Sequence, residues 1–498
     1  MAAKRRVSRA WRVRAAVAAA LTFTGSSILA DAAGPATHPA AELPWQVRDA
    51  NTAEKVTPPK PSAGQACDGP HDWFKPLKDI PAGPGLLSVD MNVRTRYEWQ
   101  DNFNIKGYGT DVKDDLQTLR TQLGLDYRLV CPSGATAPHF YVQLQDSRYW
   151  LSELERDDFP TNCPHFDQFD LRQAYAEWRR IAGSPVGFKV GRQSIFYRDK
   201  RVFGPGDWGN VGNYWWDAAK LYIETEAVDV DLIYGKRIIS EQTGFNEDWY
   251  DFDLAAAYVQ IKNLPFILDL FYLLKYDDEG KVSGETGTGD EKRHTLGLHA
   301  EGKVERWDYA TTLAWQTGEI GPDEICAFGG LARAGYTFDA PWKPRAGAAF
   351  AYASGDRHPH DGRSNTFDGL FGGVGGVYGW MNLVSWKNLE DYEINFSVQP
   401  CKNLTLAMEY HIFHLASDTD GWYWCNGKSI RRDSGGGSGS DIGNEIDIYA
   451  KCKICDNLEL QAGYSHFCAG SFVSGTRANK AGGNDNADWV YTQLTFKF

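Results

Sequence analysis

Residues 88–100 alternate strictly. Val89, Met91, Val93, Thr95, Tyr97 and Trp99 fall on one face, and Asp90, Asn92, Arg94, Arg96, Glu98 and Gln100 on the other. A period of two over this length predicts a strand with one apolar and one polar face. The next segment repeats the pattern, with Leu119, Thr121, Leu123, Leu125, Tyr127 and Leu129 against Arg120, Gln122, Gly124, Asp126 and Arg128. Phe140, Val142 and Leu144 alternate with Tyr141, Gln143 and Gln145, and Ile446, Ile448 and Ala450 with Glu445, Asp447, Tyr449 and Lys451. The chain ends on one more such strand, in which Thr492, Leu494, Phe496 and the terminal Phe498 share a face.

Half-buried strands of a soluble sandwich alternate in the same way, so the choice of fold rests on other features. The polar faces are rich in Arg, Gln, Asn, Tyr and Asp, as a wet lumen would be, where bulk water favours Lys and Glu. Tyr97 and Trp99 end one apolar face and Tyr127 lies on the next, as in an interfacial aromatic girdle. The connections alternate too. Compact turns at 131–134, 182–185, 400–403 and 455–457 contrast with long, Gly-rich, acidic stretches at 198–216, 276–292, 355–378 and 417–444. Short turns at one end and long loops at the other are the asymmetry of an outer-membrane barrel. The Gly/Ser tract at 434–440 reads as a mobile loop tip.

Composition sharpens this reading. Hydrophobic residues make up 42% of the 498, and the mean hydropathy is −0.46. Beyond the first thirty residues there is no run of the roughly 20 apolar residues that a spanning helix needs. Eighteen Trp, 24 Tyr and 51 Gly against 4 Met suit an all-β chain with many turns. The N-terminus carries Lys4, Arg5, Arg6, Arg9, Arg12 and Arg14 before an Ala-rich apolar segment ending near Ala30 and Ala32. That is the layout of a cleaved export signal over 1–32. A Pro/Ala-rich stretch without periodicity follows over 33–84 and is expected to be a disordered periplasmic tail, with the barrel over 85–498. Cleavage would remove six of the 52 basic and one of the 65 acidic residues, taking the net charge from −13 to −18. Such an acidic surface argues against nucleic acid as a partner.

The segment over 191–223 reads GRQSIFYRDKRVFGPGDWGNVGNYWWDAAKLYI. With Gly191, Arg192, Gln193, Tyr197, Arg201, Gly204, Trp208, Asn210 and Asp217 in order, it resembles the signature of the bacterial alginate-export porin family. Further segments are similar in the same order: ASGD at 353–356, GWMNLVSWKNLED at 379–391, EYHIFHLASDTDGWY at 409–423, GNEIDIYAK at 443–451 and AGYSHFCAGSF at 462–472. One departure is Arg198, where the family usually has Gly. The resemblance implies a monomeric barrel of about 18 antiparallel strands. It also implies passage of a polyuronate such as alginate, or a related anionic solute, across the bacterial outer membrane.

Passing an anionic polysaccharide requires positive charge on the lumen wall. Arg94, Arg96, Arg120 and Arg128 lie on the polar faces of the first two strands, and Arg192, Arg201 and Lys220 in the matching segment. The bland alternative is that they brace the wall by pairing with Glu98, Asp126 or Asp217. Alternation aligns Arg192 with Phe188 and Val190, on the lipid side, so either a bulge re-aims it or it lies at the rim. His358 and His360, with Asp356 and Asp361, read as a solvated loop rather than a metal site. No GxSxG, P-loop or HExxH is present, so no catalytic residue, cofactor or metal is expected. Nine cysteines fit an oxidising compartment. Cys401 and Cys455 each open a polar-Asn-Leu turn, and a disulfide between them is expected if the turns are neighbours, with Cys452 as a competing partner. The expected function is passive diffusion of an anionic polysaccharide through an Arg-lined, anion-selective lumen. A general or uptake porin for oligosaccharides is the alternative, with an outer-membrane hydrolase behind it. Expected partners are membrane lipid and lipopolysaccharide, the solute, and the barrel assembly machinery, engaged through the C-terminal strand.

Overall fold

The computed structural model describes residues 74–498 apart from 107–112, 132–135, 160–162, 373–374, 425–426, 477–482 and 484. Among these residues the alternating segments form strands β1 (Gly85–Asp101), β2 (Lys113–Leu129), β3 (His139–Trp150), β4 (Asp167–Trp178), β5 (Val186–Gln193) and β6 (Trp216–Glu224). They continue through β7 (Val228–Ile239), β8 (Phe252–Ile261), β9 (Ile267–Ser283), β10 (Thr288–Val304), β11 (Trp307–Ile320) and β12 (Asp323–Thr337). The last six are β13 (Arg345–Ala353), β14 (Leu389–Cys401), β15 (Leu404–His414), β16 (Asp441–Cys455), β17 (Leu458–Ala469) and β18 (Ala487–Lys497). Each pairs antiparallel with its neighbours in sequence. β18 closes on β1 with Val93 opposite Phe496 and Arg94 opposite Thr495, giving a closed 18-strand antiparallel barrel.

Closure satisfies every strand edge, the condition for strands to cross a bilayer. No helix among the described residues is long and apolar enough to do so. The outward positions carry Leu125, Leu296, Trp315, Ile394 and Ile448, all exposed. Large apolar side chains bare around the whole wall are what a lipid-facing band requires. The inward positions hold Asn92, Arg94, Arg96, Glu98, Arg120 and Gln122, all buried. Burial of so much charge within a barrel means that chain fills the lumen.

Three sequence expectations shift here. Residues 276–292 are mostly strand: β9 and β10 run on past a bulge between Asp277 and Val282 until Ser283 faces Thr288. Their polar side chains give the extension no apolar face for periodicity to reveal. Residues 74–84, read as tail, pack against the barrel. A 3-10 turn at Lys75–Leu77 leads to Ile80–Ala82, which pairs with the start of β1, and the Phe74 ring stacks 4.2 Å from Phe498. The proposed signal and the rest of the tail lie outside the described residues. The Gly/Ser tract at 434–440 is a folded turn built on Asp433, whose carboxylate accepts from Gly435 N at 3.0 Å and Ser438 N at 2.8 Å.

Cys401 and Cys455 are exposed free thiols. β15 runs between their strands: Leu404 faces Cys401 on one side and Cys452 on the other. Two strand spacings are about 9.5 Å, beyond the roughly 7 Å that a disulfide spans between Cα atoms. Both cysteines should therefore be alkylated in the unreduced protein, and a Cys401–Cys455 crosslinked peptide in a non-reduced digest would refute this.

Candidate pore constriction

Alternation brings three guanidinium groups to one place on the wall. In the β1–β2 register Arg94 stands directly opposite Arg120, and Arg96 follows on the same face. Like charges opposite one another destabilise a sheet unless a third group offsets them. The offset comes from the connection between β5 and β6, residues 194–215, which turns into the lumen. Arg94 donates to the carbonyls of Asp207 at 2.6 Å and Gly209 at 2.7 Å. Arg120 donates to the Asp207 carbonyl at 3.0 Å. Arg96 donates to the Trp208 carbonyl at 2.8 Å and to Glu98 at 2.7 Å, and its guanidinium lies 4.4 Å above the Trp208 ring.

A fourth arginine completes the clasp, and alternation hides it. Gln143 pairs with Gln173 but Leu144 with Leu171, so Arg172 is the extra residue of a β-bulge in β4. Bulges re-aim side chains in this way. Arg172 reaches inward to the Asp207 carboxylate at 2.6 Å and the Val211 carbonyl at 3.1 Å. Its side chain is 1% exposed and that of Asp207 5%. Burial pushes the Asp207 carboxyl up, but Arg172 and then Arg120 outweigh it and hold the group below its ordinary value. Asn210 fixes the loop to β2, β3 and the preceding connection, donating to the carbonyls of Leu119, Arg148 and His165 at 3.3, 3.1 and 2.8 Å. At Gly212 φ is +94°, and a Cβ there would lie 2.7 Å from the Trp215 ring and 3.0 Å from Arg172 Nη1, so the clasp requires glycine.

A second inward loop, 354–388, meets the first. Gly204 N donates to the Phe371 carbonyl at 2.9 Å, and Phe371 N to the Val202 carbonyl at 3.2 Å. Around this bridge Phe203, Phe371, Trp216 and Phe252 pack together, with ring centres 4.9–6.2 Å apart. Trp208 packs edge-on to Trp380 at 4.9 Å. An aromatic seam thus spans part of the expected wet lumen.

The remaining predicted residues take separate positions. Arg201 lies in the first loop, bonded to Asp199 at 2.9 Å, and Asp199 also receives Arg333 of β12 at 3.4 Å. Lys220 faces the lumen and pairs with Asp231 at 2.6 Å, donating also to the Tyr197 hydroxyl at 3.0 Å. Arg128 is exposed toward the chain's N-terminal side, where it grips Asp79 and approaches Asp126 at 4.0 Å. Arg192 stays on the outer face at the rim, forked onto Asp217 at 3.0 Å through both nitrogens, with a further bond to the Asn246 carbonyl at 2.7 Å. Glu98, Asp126 and Asp217 thus each receive an arginine, as bracing requires. Arg198 has φ +46°, a conformation that suits the glycine usual in the family and costs other residues about 1–2 kcal/mol. Its fork onto buried Asp269 at 2.5 and 2.8 Å offsets that strain. The His358/His360 segment is a surface turn, with His360 Nδ1 3.3 Å from the Glu285 carbonyl.

The wall at β14–β16 is acidic: Asp391, Glu393, Glu409, Glu445 and Asp447 occupy inward positions around His411. The lumen is thus polarised, with a cationic cluster at β1, β2 and β4 and an anionic patch at β14–β16. Sequence reading passed over these acids because carboxylates are plentiful and their convergence needs the strand register.

A family profile described as alginate export matches residues 86–485. No curated protein matches the chain. Among solved structures the fold is similar to OccAB2 of Acinetobacter baumannii, at 11% identity and TM-score 0.52, covering 83% of this chain and 98% of that one. It is also similar to OpdQ of Pseudomonas aeruginosa, at 12% identity and TM-score 0.52 over 83% and 98%. The outer membrane protein OprD of Pseudomonas aeruginosa aligns at 12% identity and TM-score 0.50 over 83% and 94%. At these identities the likeness is one of fold.

Proposed function

The chain belongs to the alginate-export family, an outer-membrane β-barrel channel, and we propose that it passes an anionic polysaccharide, alginate or a similar polyuronate, by passive diffusion. The observation that carries this reading is the convergence of Arg94, Arg96, Arg120 and Arg172 on one inward loop. Arg94, Arg96 and Arg120 donate there to the neutral main-chain carbonyls of Asp207, Trp208 and Gly209. A uronate carboxylate is a stronger acceptor than a carbonyl, and a guanidinium fork offers it two parallel donors. A polymer repeating that group competes with the loop for the same donors, residue after residue. Selectivity for anions follows despite the acidic net charge, because screening limits distant loop charges to about 8 Å at physiological salt while wall charges act at contact.

Reversal potentials across planar bilayers under a salt gradient test this. The unmodified protein should be anion-selective, and oligouronates should block it. Arg94→Gln with Arg96→Gln should lower the anion-to-cation permeability ratio and weaken the block. A cation-selective reversal potential in the unmodified protein would contradict the proposal and favour a general porin.

A further inference from the structure

On the acidic wall, Glu409 faces Asp447 across the β15–β16 pair, and His411 faces Glu445. On its other side His411 faces Glu393 of β14. One ligand atom each from Glu409, His411 and Asp447 lies within 4.8 Å of the other two. His411 Nδ1 is 3.0 and 3.1 Å from the two Asp391 carboxylate oxygens, and the tautomer with its proton there would present the Nε2 lone pair to a cation. That Nε2 is buried with no hydrogen-bond partner, as is Glu445 Oε2, and His411 is 1% exposed. Asp391 thus engages one ring nitrogen, and Nε2 is the atom left for a cation.

The other atoms are held without being saturated. Glu409 accepts from the Tyr449 hydroxyl at 2.7 Å and from Trp380 Nε1 at 3.1 Å. Asp447 accepts from the Ser465 hydroxyl, and from Trp380 N at 3.4 Å. Glu445 Oε1 accepts from Met381 N at 2.9 Å, while the charges of Lys106 and Arg201 act on Glu445 and Asp391 respectively. Each carboxyl group therefore retains lone pairs, and several of them crowd one buried imidazole. Water-excluded carboxylates in that number are stable when a cation joins them.

We propose that Glu409, His411 and Asp447 form a divalent cation site of the borderline class typified by zinc and cobalt. Asp391 orients the imidazole, and Glu445 stands within reach as a further ligand. A carboxylate behind the ligating histidine is the arrangement that fixes tautomer and ring orientation at such sites. One imidazole among carboxylates selects this class over calcium, which takes six to eight oxygens. Ligands about 2.1 Å from a tetrahedral cation lie about 3.4 Å apart, so from separations within 4.8 Å binding draws the three side chains inward by about 1 Å at most. Trp380, bonded to two of the ligands, places the site under loop 354–388.

The test uses the full-length protein in detergent, untagged, stripped with chelator and with its cysteines alkylated. Titration with Co2+ should give a saturable visible absorption band at a single equivalent, displaced by Zn2+ but not by equal Ca2+. His411→Ala should abolish the band. Asp391→Asn should weaken binding about 10–100-fold while the barrel keeps its heat-dependent gel mobility. Absence of saturable Co2+ binding in the unmodified protein overturns the proposal whether or not the variants fold. Displacement by Ca2+ as effective as that by Zn2+, or undiminished binding in a folded His411→Ala, overturns it as well.

Discussion

Arg172→Ala should convert a quiet, narrow pore into a wider and noisier one. The substitution leaves the Asp207 carboxylate buried without its ion-pair partner at 2.6 Å. Removing one member of a buried pair costs about 3–5 kcal/mol, a shift of roughly 10²- to 4 × 10³-fold in the ratio of docked to released loop. Arg94→Gln and Arg120→Gln each remove charged bonds to carbonyls worth about 1.5–3 kcal/mol, so they should have smaller effects in the same direction. Acid should act on the same clasp. Asp207 is held below its ordinary value, so its contribution is complete above the unfolded carboxylate pKa, near 4, and is lost as pH falls through the lower folded value. Conductance should stay flat from neutral pH to about 4 and rise below it, and Asp207→Asn should remove that acid step. Single-channel recordings check both. An assembled Arg172→Ala barrel with unchanged conductance would show that the loop is held elsewhere.

Arg172 also shows where sequence reading stops. Long, unbroken alternation in β1 and β2 placed Arg94, Arg96 and Arg120 inward correctly, because a one-residue slip would put every apolar side chain on the wrong face. In β4 the bulge at Arg172 reverses the parity midway, and the residue with the strongest hold on the loop sits where alternation puts a lipid-facing side chain. The inward course of 194–215 was illegible for a different reason. That segment has no periodicity, and what steers it is a set of donors on β1 to β4, remote in sequence. Alternation alone leaves Arg192 open between bulge and rim, and the choice depends on Asp217 of β6 and the carbonyl of Asn246. The carboxylates around His411 are each visible as alternating pairs, Asp391 with Glu393 and Glu445 with Asp447. Only the register of three strands makes them one site.

Phe498→Asp should abolish most assembled protein at the membrane, whereas Phe74→Ala should leave it assembled. The terminal residue forms the last rung of barrel closure, with Phe498 N donating to the Met91 carbonyl at 3.1 Å and Met91 N to the Phe498 carbonyl at 3.3 Å. Its ring stacks on Phe74 at 4.2 Å and lies 5.9 Å from Phe496. Both main-chain bonds survive either substitution, since neither needs a side chain. A charge near the membrane interface costs only about 0–1 kcal/mol, too little to unfold a barrel closed by the whole β1–β18 ladder. A severe loss must therefore arise during assembly, as expected if the terminal aromatic strand is read by the machinery that inserts barrels. Phe74→Ala separates the two roles, because it removes the stack and keeps the terminal Phe. Outer-membrane fractions probed for the heat-shifted band decide the matter. Equal loss in both variants would mean that Phe498 acts by docking the segment before β1, and normal levels of Phe498→Asp would mean that the ladder alone suffices.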